Sequence, residues 1–127
     1  MTAEQTRMLK HELRTPINHI IGYSELLLEE ASDEGEDRIS ERAKTLHKDG
    51  RTLASLIDKH LAAFPESALD EASDSLRASV TPVIAAIIEN AEPEPNDETM
   101  WSQDFRRIQA AAQKLVTVLE LREELIS

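Results

Sequence analysis

Leu9, Leu13, Ile17, Ile20, Ser24, Leu27 and Ala31 stand four or three residues apart. At about 3.6 residues per turn, such positions form one stripe along a helix, and a stripe that long has to be covered by other packed elements. The spacing recurs three more times. It runs through Ile39, Ala43, Leu46, Gly50, Leu53, Ile57, His60/Leu61 and Phe64, then through Leu69, Ala72, Leu76, Val80, Val83, Ile87 and Ala91. The last seam is Trp101, Phe105, Ile108, Ala112, Leu115, Leu119, Arg122 and Ile126, with Leu125 alongside. No alternating β-branched run and no Asn-Gly or Asp-Gly hairpin turn competes with these stripes. With few aromatics and only three glycines in 127 residues, the composition agrees. The seams predict an all-α fold, an up-down-up-down antiparallel four-helix bundle made by a single chain.

The breaks between seams set the boundaries. Ser32–Asp37 is polar and contains Gly35. Pro65 ends the second seam and pushes Phe64 out of the α region. Ser67, with Asp70 three residues on, resembles a capping box. Glu92-Pro93-Glu94-Pro95-Asn96-Asp97 reads as a loop in which Asn96 is an N-cap, with Asp97 and Glu98 at the positive end of the helix dipole. The expected helices are therefore Thr2–Ala31, Glu36–Phe64, Ser67–Ala91 and Asp97–Ile126, in one domain over residues 1–127. Gly50, on a seam, predicts close helix approach. Pro16 and Pro82 lie inside the first and third helices, where each removes a backbone hydrogen bond and should bend the helix.

The two halves look like copies. Thr81-Pro82 matches Thr15-Pro16, Val83 to Ile87 matches Ile17 to Ile21, and Ala112 matches Gly50. A helical hairpin cannot bury its apolar stripe alone, so two must pair. Residues 1–64 and 65–127 are read as an equipped hairpin and a degenerate one. At the positions matching His11, Glu12 and Arg14, the second half has Arg77, Ala78 and Val80.

Chemistry concentrates in Met8-Leu9-Lys10-His11-Glu12-Leu13-Arg14-Thr15-Pro16-Ile17. On a helical wheel centred on Leu13, His11 falls about 160° from the core direction, facing solvent. Arg7 and Thr15 are one turn from it on either side, and Arg14 is at i+3, so all three line its face. Guanidinium groups suit a phosphoryl group bidentately, and a threonine hydroxyl can bond a phosphate oxygen. An imidazole is nucleophilic near neutral pH, and a nearby carboxylate such as Glu12 can fix its tautomer or take a proton. The net charge of −11 argues against nucleic acid and anionic membranes as partners. Residues 1–22 are the exception, with Arg7, Lys10 and Arg14 against Glu4 and Glu12. The lack of cysteines fits a cytoplasmic protein, and neither a signal peptide nor a membrane span is visible. A metal site at His11 would need a ligand one turn away, which Arg14 and Thr15 do not provide. His19 reads as solvated, His47 as a seam-edge residue and His60 as packed near a helix end.

His-Glu-Leu-Arg-Thr-Pro-Ile resembles the H-box of sensor histidine kinases, in their dimerisation-and-histidine-phosphotransfer domain. Residues 8–61 look like one complete hairpin of that domain and residues 75–121 like a degenerate second copy. The resemblance implies that His11 is the phosphorylated residue, that Glu12 serves as general base, that Thr15 acts in dephosphorylating a partner receiver, and that Pro16 bends the helix. Lys10, Arg7 and Arg14 would bind. The family's Asn- and Gly-rich ATP-binding boxes have no counterpart here, since Gly22, Gly35 and Gly50 are far apart. The expected function is a histidine phosphotransfer protein of a two-component phosphorelay, monomeric and without cofactor or metal. It would not be an autonomous ATP-dependent kinase. Its partners would be a response-regulator receiver domain, gripping the outer faces of helices one and two, and a sensor histidine kinase. A kinase-like binding module that sequesters a receiver, or a fragment of a full kinase, are the alternatives. A chain that opens on Met1 and ends at Ser127 without a linker is expected to be a module rather than a fragment.

Overall fold

In the computed structural model, which describes residues 3–62, 69–92 and 100–119, the seams become four helices. They are α1 (Ala3–Asp33), α2 (Asp37–Ala62), α3 (Leu69–Asn90) and α4 (Met100–Leu119). No strand occurs among the described residues. Each helix packs against its neighbours in chain order, and α4 closes the ring on α1. This is the expected four-helix bundle. The expected boundary features at Thr2, Phe64-Pro65, Ser67, Asn96–Glu98 and Arg122–Ile126 lie outside the described residues, as do the side chains of Leu61, Leu69 and Ala72.

α1 continues two residues past Ala31, and the turn explains why. The Glu36 N–H donates to the Ala31 carbonyl at 2.8 Å and the Gly35 N–H to the Ser32 carbonyl at 3.3 Å. Gly35 has φ +71°. These two bonds and the left-handed glycine form a Schellman cap, which satisfies the last carbonyls of α1 and turns the chain sharply into α2. The Ser40 N–H then donates to the Glu36 carbonyl at 2.9 Å, opening α2 one residue later than expected.

The core is built from the seams. Leu13, Ile17, Ile20, Leu27 and Ala31 of α1 are buried with Ala43, Leu46, Leu53 and Ile57 of α2. Ser24, the polar position in the α1 seam, is fully buried and donates to the Ile21 carbonyl at 2.9 Å. From α4 come Phe105, Ile108, Ala112, Leu115 and Leu119, and the half-buried Trp101 packs against them. α3 departs from expectation at one position. Ile84 is fully buried, and Val83 only half. Between Val80 and Ile87 a step of four then three fits the helical period as well as three then four, and the larger Ile84 takes the inward place.

That shift matters for the two halves. Leu9, Leu13, Ile17 and Ile20 hold places along α1 equivalent to those of Leu76, Val80, Ile84 and Ile87 along α3. Aligned on the core in this way, the Thr-Pro dipeptides fall one residue out of step. Pro16 is buried and Pro82 exposed. The two do share a local device. Thr15 Oγ1 donates to the His11 carbonyl at 3.3 Å and Thr81 Oγ1 to the Arg77 carbonyl at 2.6 Å, each just before a proline that leaves the next carbonyl without its helical partner.

Three polar pairs fix the register of α1 on α2. Ser32 meets Ser40 (3.3 Å), Glu25 meets His47 (2.9 Å) and Arg14 meets Asp58 (2.5 Å). Each step back along α1, of about two and then three turns, is answered by an equal step on along α2. Midway, a Cβ on Gly50 would stand 3.0 Å from Ile21 Cγ1 and 3.1 Å from Ile20 Cγ2. Gly50 thus marks close helix approach. Gly50→Leu should lower unfolding stability by about 1–3 kcal/mol through overpacking. Urea denaturation checks this, and an unchanged midpoint would show that the α1–α2 spacing is not set there.

At the turn end Arg42 ties three helices together. From α2 it donates to the Asn90 carbonyl (2.7 and 3.2 Å) and the Glu92 carbonyl (2.7 Å) at the end of α3, and its guanidinium lies 4.0 Å from the centre of the Phe105 ring on α4. A cation on the last carbonyls of a helix opposes the negative end of its dipole. α4 adds a bond from Gln109 Nε2 to the Ile88 carbonyl at 3.1 Å.

Candidate functional site

The wheel places His11 on the solvent side of α1, and there it stands exposed, with Glu12 and Thr15 exposed beside it. The same face borders a groove of about 650 Å³ between α1 and α4. One wall is His11, Glu12, Thr15, Pro16, His19 and Tyr23, and the other is Arg107, Ala110, Ala111, Lys114 and Val118. Small side chains at Ala110 and Ala111 keep the floor open. His19 is exposed, its ring centroid 6.2 Å from that of Tyr23. Arg107 lies with its guanidinium 5.5 Å from the Tyr23 ring centre and pairs with Asp104 at 3.1 Å.

Three of the expected site residues, His11, Glu12 and Thr15, thus share the groove. Arg7 is exposed, outside the groove lining. Arg14, which the wheel sets on the face of His11, and Lys10, the other expected binding cation, are engaged elsewhere. Both turn to α2, where Asp58 accepts Arg14 and holds Lys10 at 3.5 Å. The wheel could rank directions around α1, but it could not know that α2 would present a carboxylate at that height.

The Arg14 hydrogen bond holds the Asp58 carboxyl below its ordinary range. Desolvation works the other way, while the charges of Arg14 and Lys10 add to the lowering. A carboxyl whose folded pKa lies below its unfolded one stabilises the fold above the ordinary carboxylate range. That contribution fades as pH falls toward the depressed value. Both partners are half exposed, so the pair contributes under about 1 kcal/mol. Asp58→Asn should cost that much at pH 7 and progressively less as pH falls below the ordinary carboxylate range toward the depressed value. Denaturant midpoints across pH read the difference, and a pH-independent gap would rule out the pair as its source.

The remaining histidines have structural partners. His47 Nε2 lies 2.9 Å from Glu25 Oε1, and His60 Nε2 lies 3.1 Å from Ser79 Oγ on α3. At the turn end, burial first and then the charges of Asp104, Glu34 and Glu29 raise the pKa of Glu30. Asp104 itself is buried on α4 and is paired with Arg107. The outer face of α2 carries a shallower groove of about 520 Å³, with Lys48, Arg51, Lys59 and His47 in its lining. No described helix is long and apolar enough to cross a membrane.

Sequence reasoning missed the α4 wall. Arg107, Ala110, Ala111, Lys114 and Val118 recur at helical spacing beside the seam. The signal was present, but only the packing of α4 on α1 gives it meaning.

Comparison with known proteins agrees with this geometry. Residues 1–63 match the family described as His Kinase A (phospho-acceptor) domain. The chain is 31% identical over 93 residues to the cell-division control histidine kinase PdhS of Brucella anthropi, an alignment covering 71% of this chain and 9% of that protein. The chain thus spans about a tenth of the length of this relative. No solved structure matches. The α1–α2 hairpin of the chain thus belongs to the His Kinase A (phospho-acceptor) domain family.

Proposed function

We propose that this chain is a histidine phosphotransfer protein of a two-component phosphorelay, carrying a phosphoryl group on His11 between a kinase or receiver aspartate and another receiver. The observation that carries this reading is the solvent-exposed His11 imidazole at the mouth of the α1–α4 groove, inside the segment that matches a phospho-acceptor family.

In the forward step an unprotonated ring nitrogen attacks the phosphorus of an aspartyl phosphate. The N–P bond forms as the P–O bond breaks, and the aspartate leaves as carboxylate with the bonding pair. The proton on the second ring nitrogen passes to a carboxylate or water, and Glu12, one residue on and lining the same groove, is suited to accept it. The return step to a second receiver reverses these changes. Thr15 lines the groove, and since its hydroxyl donates to the His11 carbonyl, its oxygen would serve there as an acceptor, for a water or a phosphoryl-bound proton. The receiver would sit over α1 and the outer face of α2. There the cations Lys48, Arg51 and Lys59 suit an acidic partner surface in an otherwise acidic protein. One chain supplies all four helices of the bundle, which supports a monomer carrying one acceptor.

The relative is a histidine kinase more than ten times longer than the aligned segment. That favours a second reading, the phospho-acceptor part of a full sensor kinase. Incubation of the chain with a receiver phosphorylated on aspartate tests the first. An acid-labile, base-stable label transferred to the chain, and from it to a second receiver, supports the relay. Tight binding without label would instead make it a sequestering module. A dimer with two labelled sites in sedimentation would overturn the single-chain reading.

A further inference from the structure

We propose that Lys114, on α4, is the cation that meets a phosphoryl group carried on His11, so that the second hairpin completes the site of the first. The inference rests on the phosphotransfer reading above. A phosphoryl group on an imidazole brings close to two negative charges and three acceptor oxygens, which call for donors or cations nearby. The nearest cations in sequence, Lys10 and Arg14, are held by Asp58 on α2. Within the groove, Arg107 is held by Asp104 and lies over Tyr23. Lys114 remains. It is exposed, it lines the groove opposite His11 and Thr15, and no described carboxylate pairs with it.

Register brings it within reach. α4 runs antiparallel to α1, and Arg107 stands level with Tyr23. Two turns on from Arg107 is Lys114, and two turns back from Tyr23 is Pro16, so Lys114 is level with Thr15-Pro16, about one turn from His11. A lysine side chain spans about that distance, and its ammonium is a mobile point charge suited to a group that arrives and leaves. During transfer the ammonium acts as a hydrogen-bond donor only. It donates hydrogen bonds to phosphoryl oxygens while the bond to phosphorus is exchanged, and it takes no part in bond making. The plain alternative is a lysine on a solvated helix face, which would leave His11 chemistry unchanged when removed.

A small donor separates this inference from the reading beneath it, because it needs no partner protein. Phosphoramidate reacts with the imidazole as the new N–P bond forms and the donor P–N bond breaks, releasing ammonia. Phosphohistidine formed by the full chain is followed by ³¹P NMR, for its rate and for its chemical shift. Lys114→Ala should label about tenfold more slowly and Lys114→Glu more slowly still, while Lys114→Arg restores most of the rate. Lys44→Ala, which removes the same charge from an exposed surface pair with Glu41 on α2, should label like wild type. Equal rates and shifts for all Lys114 variants would overturn the role of Lys114 while leaving His11 as acceptor. Absence of phosphohistidine on wild type would instead remove the phosphotransfer reading itself. Equal slowing by Lys44→Ala would reduce the effect to net charge and overturn the proposal.

Discussion

His11→Ala is expected to reduce covalent phosphoryl acceptance by at least about 10³-fold, to background, because the nucleophilic nitrogen itself is gone. The fold should not register the change. His11 is exposed, so its removal should shift stability by less than about 0.5 kcal/mol. This pairing of a full functional loss with an unmoved unfolding transition separates an acceptor from a scaffold residue. The groove offers an internal control. His19 lies about two turns on, on the same wall. If His19 were the acceptor, the label would survive His11→Ala and disappear in His19→Ala. The expected pattern is the reverse, read by acid-labile incorporation on each variant after exposure to a phosphorylated receiver.

The largest expected stability loss lies at the other end of the bundle. Phe105 is 2% exposed and is among the largest fully buried side chains. Phe105→Ala should cost about 3–5 kcal/mol, from lost burial and from the cavity left behind. Against a total of about 5–15 kcal/mol, that is enough to leave the variant partly unfolded at 37 °C. Part of the loss belongs to Arg42, whose guanidinium sits 4.0 Å from the ring centre while it donates to the ends of α3. A cycle of Phe105→Ala, Arg42→Ala and the double variant should show coupling of about 0.5–1 kcal/mol. Denaturant unfolding measures both quantities. A loss below about 1 kcal/mol for Phe105→Ala, or additivity in the cycle, would show that α4 is not clamped to α2 and α3 in this way.

The inward faces were legible in the sequence because burial repeats with the helical period. Leu13, Ile17 and Ile20, like Phe105, Ile108 and Ala112, stand inside as their spacing requires. Gly50 was legible for the same reason, since a glycine on a seam has little to offer except closeness. Periodicity gives the direction of a side chain around its own helix, not the neighbour it will find there. Hence Lys10 and Arg14, beside His11 in one dimension, are taken by Asp58 in three. Lys114 and Arg107 were invisible as site residues because more than ninety positions separate them from the motif. Arg42 under the end of α3, and the burial of Asp104 on α4, depend on inter-helix register in the same way. In α3 the choice between Val83 and Ile84 was open to the sequence, and packing decided it.

The one-residue slip between the prolines has a consequence for valence. Pro16 is turned into the core and Pro82 out to solvent, a difference of about 100° around the helix axis. The surfaces around the two Thr-Pro steps are therefore not copies of each other, even where the cores beneath them correspond. A partner shaped to the α1 step finds it once per molecule and would meet a differently oriented ridge on α3. Bundles assembled from two identical chains present every surface twice, so occupancy of one face can influence the other. Within one chain the described residues offer no second equivalent face, so partners that read the α1 step would compete for one seat on each chain.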